Sequence, residues 1–409
     1  GIWDEDDILE ELSQKLKDDF PVRVPTSPSL RVGVEKELCP SLISLGDKVA
    51  FAKDYALFLT YKHRKSSIAG GDIEDMDFDL DAPEKGYLSK YREEEGRIPT
   101  PAIEIGAVTS RYKHISVSNI SRSSSVYGAQ MRSLFGCGEG FVQLGFDFSS
   151  LEARVQGHYV KNYEFGEELA LSLVAEKPMD IHSQNSLKLG IDRTLVKNIT
   201  YAILYGCSPK KLETMLGYSP KKAKEFYDEY WDAVPALRDF KVDLEQQLSN
   251  SGGKTLKAID GRILSVRSKH SIINLVFQSC GVIAAKYVTV LLMKYMEEQG
   301  YCIDPFIGVP DVCSMIEYHD ENQLLTSPKL HKFEKFDTEE DAKEFEKNWD
   351  NSKGQISDIG HSEKGYYISL PNVVTKAIAK AILETETRLG INVPLGFSWI
   401  TGKNWMQCH

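Results

Sequence analysis

Apolar residues recur at helical spacing through ISLGDKVAFAKDYALFLTYKH (43–63), which predicts one long helix. Between 97 and 120 β-branched and polar residues alternate with a strand period, and SRSSS (121–125) then marks a loop. FVQLGFDFS (141–149), a short apolar run rich in aromatics, predicts a buried strand. From Ser150 to about Gly300 the pattern is mostly helical. Its clearest amphipathic stretch, KKAKEFYDEYWDAVPALRDFKVDLEQQL (221–248), is broken or kinked by Pro235. Leu275 to Met296 is the most apolar long segment, but Gln278, Lys286 and Lys294 interrupt it, so it reads as a buried core helix and not a membrane span. VCSMIEYHD (312–320) returns to strand character. The charged segment 322–365 holds a surface helix around TEEDAKEFEKNW, and PNVVTKAIAKAILETETRLG (371–390) is a helix stopped by Gly390. A sheet interrupted by a block of helices is an α+β design, with a cleft where the helical block meets the sheet.

Composition narrows this without changing it. The chain has 409 residues, 42% hydrophobic and 27% charged, enough for two to four packed subdomains and unlike a disordered, collagen-like or disulfide-scaffold sequence. Its seven cysteines, Cys39, Cys137, Cys207, Cys280, Cys302, Cys313 and Cys408, contain no CxxC pair, which argues for reduced thiols and against zinc. The start, GIWDEDDILEEL, lacks the basic and apolar regions of a signal peptide, so a cytoplasmic protein is expected, in the host cytoplasm if the source is viral. Net charge is −11, yet residues 1–105 carry 23 acidic against 14 basic side chains and the rest 37 against 35. A nearly neutral body can still hold a basic groove, so charge neither requires nor forbids a nucleic acid. The acidic segment GGDIEDMDFDLDAPEKG (70–86) reads as a solvated loop, and its spacing fits no EF-hand.

Three constellations carry chemistry. In DFSSLEAR, Asp147 closes the apolar run where the chain turns into a helix, at an exposed sheet edge, and Glu152 follows five residues on. An aspartate there also serves as a simple helix cap. In YHDEN, Asp320 and Glu321 follow an alternating strand, where neighbouring acids at a hairpin tip are also simply solvated. Two aspartates from separate strands can, however, share a pair of hard cations suited to phosphoryl transfer. In RTLVKNITYAILYG (193–206), Arg193, Lys197, Tyr201 and Tyr205 recur every four residues and form one helical stripe roughly 18 Å long. Such aromatic pairs also occur in ordinary cores, but two cations followed by two rings suit a nucleoside triphosphate.

Taken in this order, the motifs resemble those of family A DNA polymerases, the bacterial DNA polymerase I group. DFSSLEAR is similar to motif A, R-x3-K-x3-Y-x3-YG to motif B and HDE to motif C. GAVTSR (106–111), DIHS (180–183) and HSIINLVFQS (270–279) resemble further segments of the family. RSSSVYGAQMRSLFG (122–136) and GKNWMQCH (402–409) are similar to segments in the replicative enzymes of short-tailed bacteriophages. The likeness covers about residues 86–320 and 366–409.

The resemblance implies a right-hand polymerase with an antiparallel palm sheet, helical fingers and a short helical thumb. Residues 1–91 would be an N-terminal extra and thumb, 92–158 and 285–409 the palm with an insertion at 322–365, and 159–284 the fingers. It implies two Mg2+ ions, with Mn2+ as a substitute, held by Asp147, Asp320 and the carbonyl of Phe148, with Glu321 as a supporting acid. His182, Arg193, Lys197, Tyr201, Tyr205 and Glu152 would meet the dNTP, with Lys197 also protonating the departing pyrophosphate and Glu152 gating the sugar beside Tyr201. Arg111, Arg132, His270, Asn274, Gln278 and His319 would meet primer–template DNA. The expected protein is a monomer without a membrane partner, lacks a 3′–5′ exonuclease domain, and works with an unidentified processivity factor or separate exonuclease. A single-subunit RNA polymerase and a non-catalytic DNA-binding subunit of the same fold are the alternatives. Glu152 and Tyr201 argue against the first, and the complete set of carboxylates and triphosphate contacts against the second.

Overall fold

The computed structural model describes residues 39–70, 86–117, 120–175, 183, 185–187 and 192–409. The expected acidic loop, His182 and residues 1–38 of the expected thumb lie outside the described residues. The chain forms two compact units. One contains the described residues up to Ala102 with His114–Gly136 and Asn404–Met406, and the other Ile103–Lys113, Cys137–Lys403 and Gln407–His409. This division cuts across the segment 92–158.

In the first unit the expected helix over 43–63 is two helices, α1 (Pro40–Leu45) and α2 (Phe51–Ala69). The chain leaves α1 at Gly46, and Leu42 and Leu45 fold back onto Ala52 and Ala56. A short helix, α3 (Gly128–Ser133), carries Arg132, whose guanidinium donates to the Ser121 carbonyl and lies over the Trp405 ring. The strand expected over 97–120 is reduced to two-residue bridges at 102–103 and 113–114.

The second unit is built on the apolar run read as a strand, β1 (Val142–Ser149). Helices α4 (Leu151–Val160), α5 (Gly166–Val174), α6 (Arg193–Leu204), α7 (Pro209–Leu216), α8 (Pro220–Ala233) and α9 (Pro235–Asn250) follow. Pro235 separates α8 from α9 as its missing N–H requires. A hairpin, β2 (Thr255–Lys257) and β3 (Ile263–Ser265), leads to the long helix α10 (Ile272–Glu298). By length and composition that helix could cross a membrane, but 67% of its apolar window is buried inside the protein, chiefly against β1, α4 and a later helix, α12. Next come β4 (Val312–Tyr318), β5 (Glu321–Thr326), β6 (Phe333–Phe336), α11 (Glu339–Lys347), β7 (Gly360–Ser362), β8 (Gly365–Ser369), α12 (Val373–Leu389) and β9 (Gly396–Gly402). Asn372 and Thr375 make a capping box at the start of α12, and Gly390, at φ 65°, ends it.

The central antiparallel sheet has the order β9-β1-β5-β4. The architecture is a mixture of helices and antiparallel sheet. One boundary moves: the segment 322–365 does not stand apart as a whole. Asn322–Thr326 belongs to β5, an inner strand buried throughout, with Leu324 in the main apolar core, Asn322 donating to Thr289 of α10, and Gln323 bonded to Gln143 of β1. The separate part lies beyond Ser327, where β6, β7 and β8 form a small sheet closed by α11 around Ala342, Ile356 and Ile368. All seven cysteines are free.

Candidate active site

Asp147 lies near the end of β1, paired with Ser398 of β9 on one side and Glu321 of β5 on the other. It therefore sits on an inner strand, which corrects the expected exposed edge. It does not cap the next helix either. The N-cap residue of α4 is Ser150, in a left-handed conformation at φ 52° that is costly for a residue other than glycine. Arg154 of α4 staples this turn, donating through Nε to the Ser149 carbonyl at 2.7 Å and through Nη1 to the Pro394 carbonyl.

The β4–β5 hairpin turns at His319 and Asp320 between the paired residues Tyr318 and Glu321, with His319 at φ 66°. The Phe148 N–H donates to the Asp320 carbonyl at 3.2 Å, which ties the turn to β1 beside Asp147. The two adjacent acids then part company. Asp320 is exposed, whereas Glu321 is only 5% exposed. Its Oε1 accepts from Gln323 Nε2 at 2.6 Å and its Oε2 lies 2.9 Å from His409 Nδ1. Gln323 in turn accepts from Gln143 and donates to the Cys408 carbonyl. Gly145 makes the last contact possible, since a Cβ there would stand 2.1 Å from that carbonyl. His409 is a site residue that sequence reasoning missed. Its only signal was membership of the GKNWMQCH segment.

Three carboxylates thus converge at one end of the sheet. Burial, then the charges of Asp320 and Glu321, push the Asp147 carboxyl up to about 7, partly offset by His409 and by the Phe148 N–H. Among the described residues no group of three or more His, Cys, Asp or Glu side chains is arranged as a ready metal-binding cluster. Asp147 and Asp320 nevertheless fit a divalent cation. They are hard oxygen donors, and a carboxyl held near neutrality by burial and by neighbouring negative charge is the one a cation would relieve.

Helix α6 presents the predicted stripe. Asp192 caps it, accepting from the N–H groups of Thr194 and Leu195. Ile199 and Ile203 bury the opposite face against Leu212 and Ala223, and Val196 is buried as well. Arg193 Nε donates to Ser183 Oγ at 3.0 Å, Lys197 is exposed with Nζ 5.9 Å from the Tyr201 ring, and the Tyr201 and Tyr205 rings are 5.8 Å apart. Tyr205 stands just past the last helical residue, followed by Gly206 at φ 82°. Tyr201, the expected neighbour of Glu152, lies close enough to feel its charge, and the phenol that donates to the carboxylate is Tyr205. Burial raises the Glu152 carboxyl, opposed by that hydrogen bond and by the charges of Arg111 and Lys197. Tyr201 is pushed up to about 12 by burial and then by Glu152, so its hydroxyl keeps its proton at neutral pH.

The residues expected at DNA fall in four places. Arg111 is near Glu152 and Tyr205, and its buried Nε has no hydrogen-bond partner. His270, Asn274 and Gln278 are spaced by one helical turn from the short turn Lys269–Ser271 into α10, and His319 is exposed at the hairpin tip. Arg132 departs from the expectation. It is 3% exposed and its guanidinium is engaged by Ser121 and Trp405, so it has no surface to offer a duplex.

The candidate site thus combines a strained strand-to-helix turn bearing one carboxylate, a hairpin tip bearing a second, and a helix with an Arg–Lys–Tyr stripe. Residues 84–297 match the sequence profile of DNA polymerase family A, just over half of the chain, and the chain belongs to that family. It is 28% identical over 240 residues to the DNA-directed DNA polymerase of Escherichia phage T7, covering 53% of this chain and 33% of that protein. It is 24% identical over 169 residues to DNA polymerase I of Helicobacter pylori, covering 39% of this chain and 18% of that one. The match therefore spans about a third or less of the length of these relatives. Among solved structures, the POL domain of Pol1 from M. smegmatis, in complex with DNA primer-template and dNTP, shares the fold. Its TM-score is 0.63 at 16% identity, over 98% of this chain and 66% of that one.

Proposed function

We propose that this chain is the polymerase module of a DNA-directed DNA polymerase, extending a primer on a DNA template with dNTPs. The observation that carries the reading is the convergence of Asp147, Asp320 and Glu321 at the end of the central sheet, with Asp147 raised to about 7. Central sheet and hairpin correspond to the palm, the helices over 159–284 to the fingers, and the described part of 1–91 to the thumb. Work in a phage replication system is the biological setting that fits the phage relatives.

Asp147 and Asp320 would hold Mg2+, with the Phe148 carbonyl as a further oxygen donor. Bound there, the ions supply Lewis-acid activation of the primer 3′-oxygen and charge neutralisation at the leaving phosphate. The remaining chemistry belongs to the chain. Arg193 and Lys197 offset the triphosphate charge, and Lys197, exposed at the middle of α6, donates a proton to the departing pyrophosphate oxygen. Glu152, held by Tyr205, fills the space at the sugar. A ring against the base comes from Tyr201. Glu321, buried and twice hydrogen-bonded, keeps the tip of the hairpin in register with β1.

Primer extension with dNTPs or NTPs tests the proposal. Template-directed extension with dNTPs and Mg2+ is expected. Extension with NTPs alone would favour an RNA polymerase, and DNA binding without extension a non-catalytic subunit.

A further inference from the structure

Arg111 reaches Glu152 and Tyr205 from a segment, Ile103–Lys113, that has almost no regular structure of its own. Something must hold it. The turn is closed by the Gly106 N–H on the Arg111 carbonyl at 3.2 Å and the Ser110 N–H on the Ala107 carbonyl at 2.9 Å. Ser110 adopts φ 65°, a strained value for a serine, and this sets the direction in which Arg111 leaves the turn. Val108 packs on an apolar cluster that includes Leu275 and Ile283 of α10.

Much of the remaining anchorage converges on one lysine. Lys286 of α10 donates from Nζ to the Glu104 carbonyl and, at 2.8 Å, to the Ser110 carbonyl, on either side of the turn. The same ammonium lies 4.0 Å from the centroid of the Tyr112 ring. Tyr112 is fixed at its other end, where its hydroxyl bonds Glu317 of β4, itself bonded to Thr289 of α10. Residues before and after Arg111 are thus pinned to α10 and β4, and Arg111 itself is left with an unpartnered buried Nε.

We propose that Lys286, with Tyr112, is a positioning residue that acts through Arg111, by clamping the 104–112 turn so that the guanidinium is aimed at the Glu152–Tyr205 side of the site. This rests on the reading of Arg111 as a contact to primer–template DNA. Without the clamp the strained Ser110 relaxes, and the guanidinium moves off its target while the rest of the site is intact.

The experiment is a double-mutant cycle on the full chain, read by single-turnover extension of a paired primer and by KM for primer–template. Arg111→Ala is made alone, Lys286→Met alone, and the two together, with thermal melting to show that each folds. Lys286→Met keeps the stem and loses the donors. A group moved off its productive position by about 1 Å typically costs on the order of a hundredfold, so Lys286→Met is expected to slow extension by roughly ten- to a hundredfold. Lys286→Arg, which can still reach two carbonyls, should recover most of the rate. The signature of positioning is that Lys286→Met adds nothing to the loss already caused by Arg111→Ala. Multiplied losses in the double variant, or an unaffected Lys286→Met enzyme beside a crippled Arg111→Ala enzyme, would overturn the clamp and leave the reading of Arg111 standing. An unaffected Arg111→Ala enzyme would instead refute that reading itself. Should Lys286→Met not fold, Tyr112→Phe removes only a hydroxyl from the other end of the clamp and carries the same cycle.

Discussion

At the scale of single residues, Asp147 is held against its own preference. An aspartate with an ordinary value near 3.8 has been raised to about 7 by burial and by Asp320 and Glu321. The folded protein therefore binds a proton that the unfolded chain gives up, and stability contributed below about 3.8 is lost as pH climbs from there through 7. In metal-free protein Asp147→Asn should be more stable at pH 8 than the parent, by roughly 2–4 kcal/mol, while extension falls a hundredfold or more. Melting temperatures without metal and with Mg2+ check this, since Mg2+ should stabilise the parent and do little for the variant. Equal melting at pH 8 without metal would refute the assignment of the charge cluster. The sequence located this carboxylate and expected Glu321 as a supporting acid, but the burial of Glu321 beside an exposed Asp320 was not legible, because it depends on Gln323, itself bonded to Gln143 of β1, and on His409 far along the chain. The same applies to Glu152, whose hydrogen-bond partner lies 53 residues away. Tyr205→Phe deletes that bond and leaves the ring. If the pair forms the sugar gate, competitive incorporation should show more ribonucleotide use in Tyr205→Phe, and still more in Glu152→Ala.

At the scale of elements, periodicity gave what is local and missed what depends on approach. The stripe on α6 was readable from its four-residue spacing, and α12 from its terminal glycine. The break between α1 and α2 was not, since nothing in the periodic pattern of 43–63 reveals that Leu42 and Leu45 prefer to pack on Ala52 and Ala56. Strand character over 97–120 was likewise overruled, because the part of that segment around Arg111 is held by Lys286 instead of a ladder. Gly206 marks where approach decides. At φ 82° it ends the α6 stripe, and a Cβ there would stand 2.1 Å from the His270 carbonyl oxygen, backbone that cannot swing aside. Gly206→Ala should therefore cost roughly 2–4 kcal/mol of stability. It should also shift Tyr205 away from Glu152. Denaturant unfolding reads the first effect and ribonucleotide discrimination the second. A variant as stable as the parent would mean that the C-terminal end of α6 does not approach His270 as described.

At the scale of the whole molecule, the α+β order of elements was legible, but the boundary at residue 322 was not. Charge density made 322–365 look like one excursion, whereas its first five residues are an inner strand of the central sheet. The true junctions are at Thr326 and Asn372, where the small sheet leaves and rejoins the core, and one residue spans both. His331 is 9% exposed, with Nε2 2.7 Å from Thr326 Oγ1 and Nδ1 3.3 Å from Asn372 Nδ2. Burial lowers the imidazole from 6.5 to about 4, so the folded state holds it neutral. Its contribution is fully present above the unfolded value of 6.5 and is lost as pH falls through that value toward 4, the reverse of the sign at Asp147. The shift corresponds to about 3 kcal/mol across that window. Protonation would put a cation between the end of β5 and the cap of α12, so acid should loosen both junctions together. His331→Gln offers polar atoms at the same place and does not titrate. Metal-free unfolding of parent and variant at pH 7.5 and pH 4.5 should give a stability difference that shifts in the variant's favour as pH falls, because other titrating groups cancel between them. A difference that stays constant over that range would show that the imidazole is not held neutral between the two junctions.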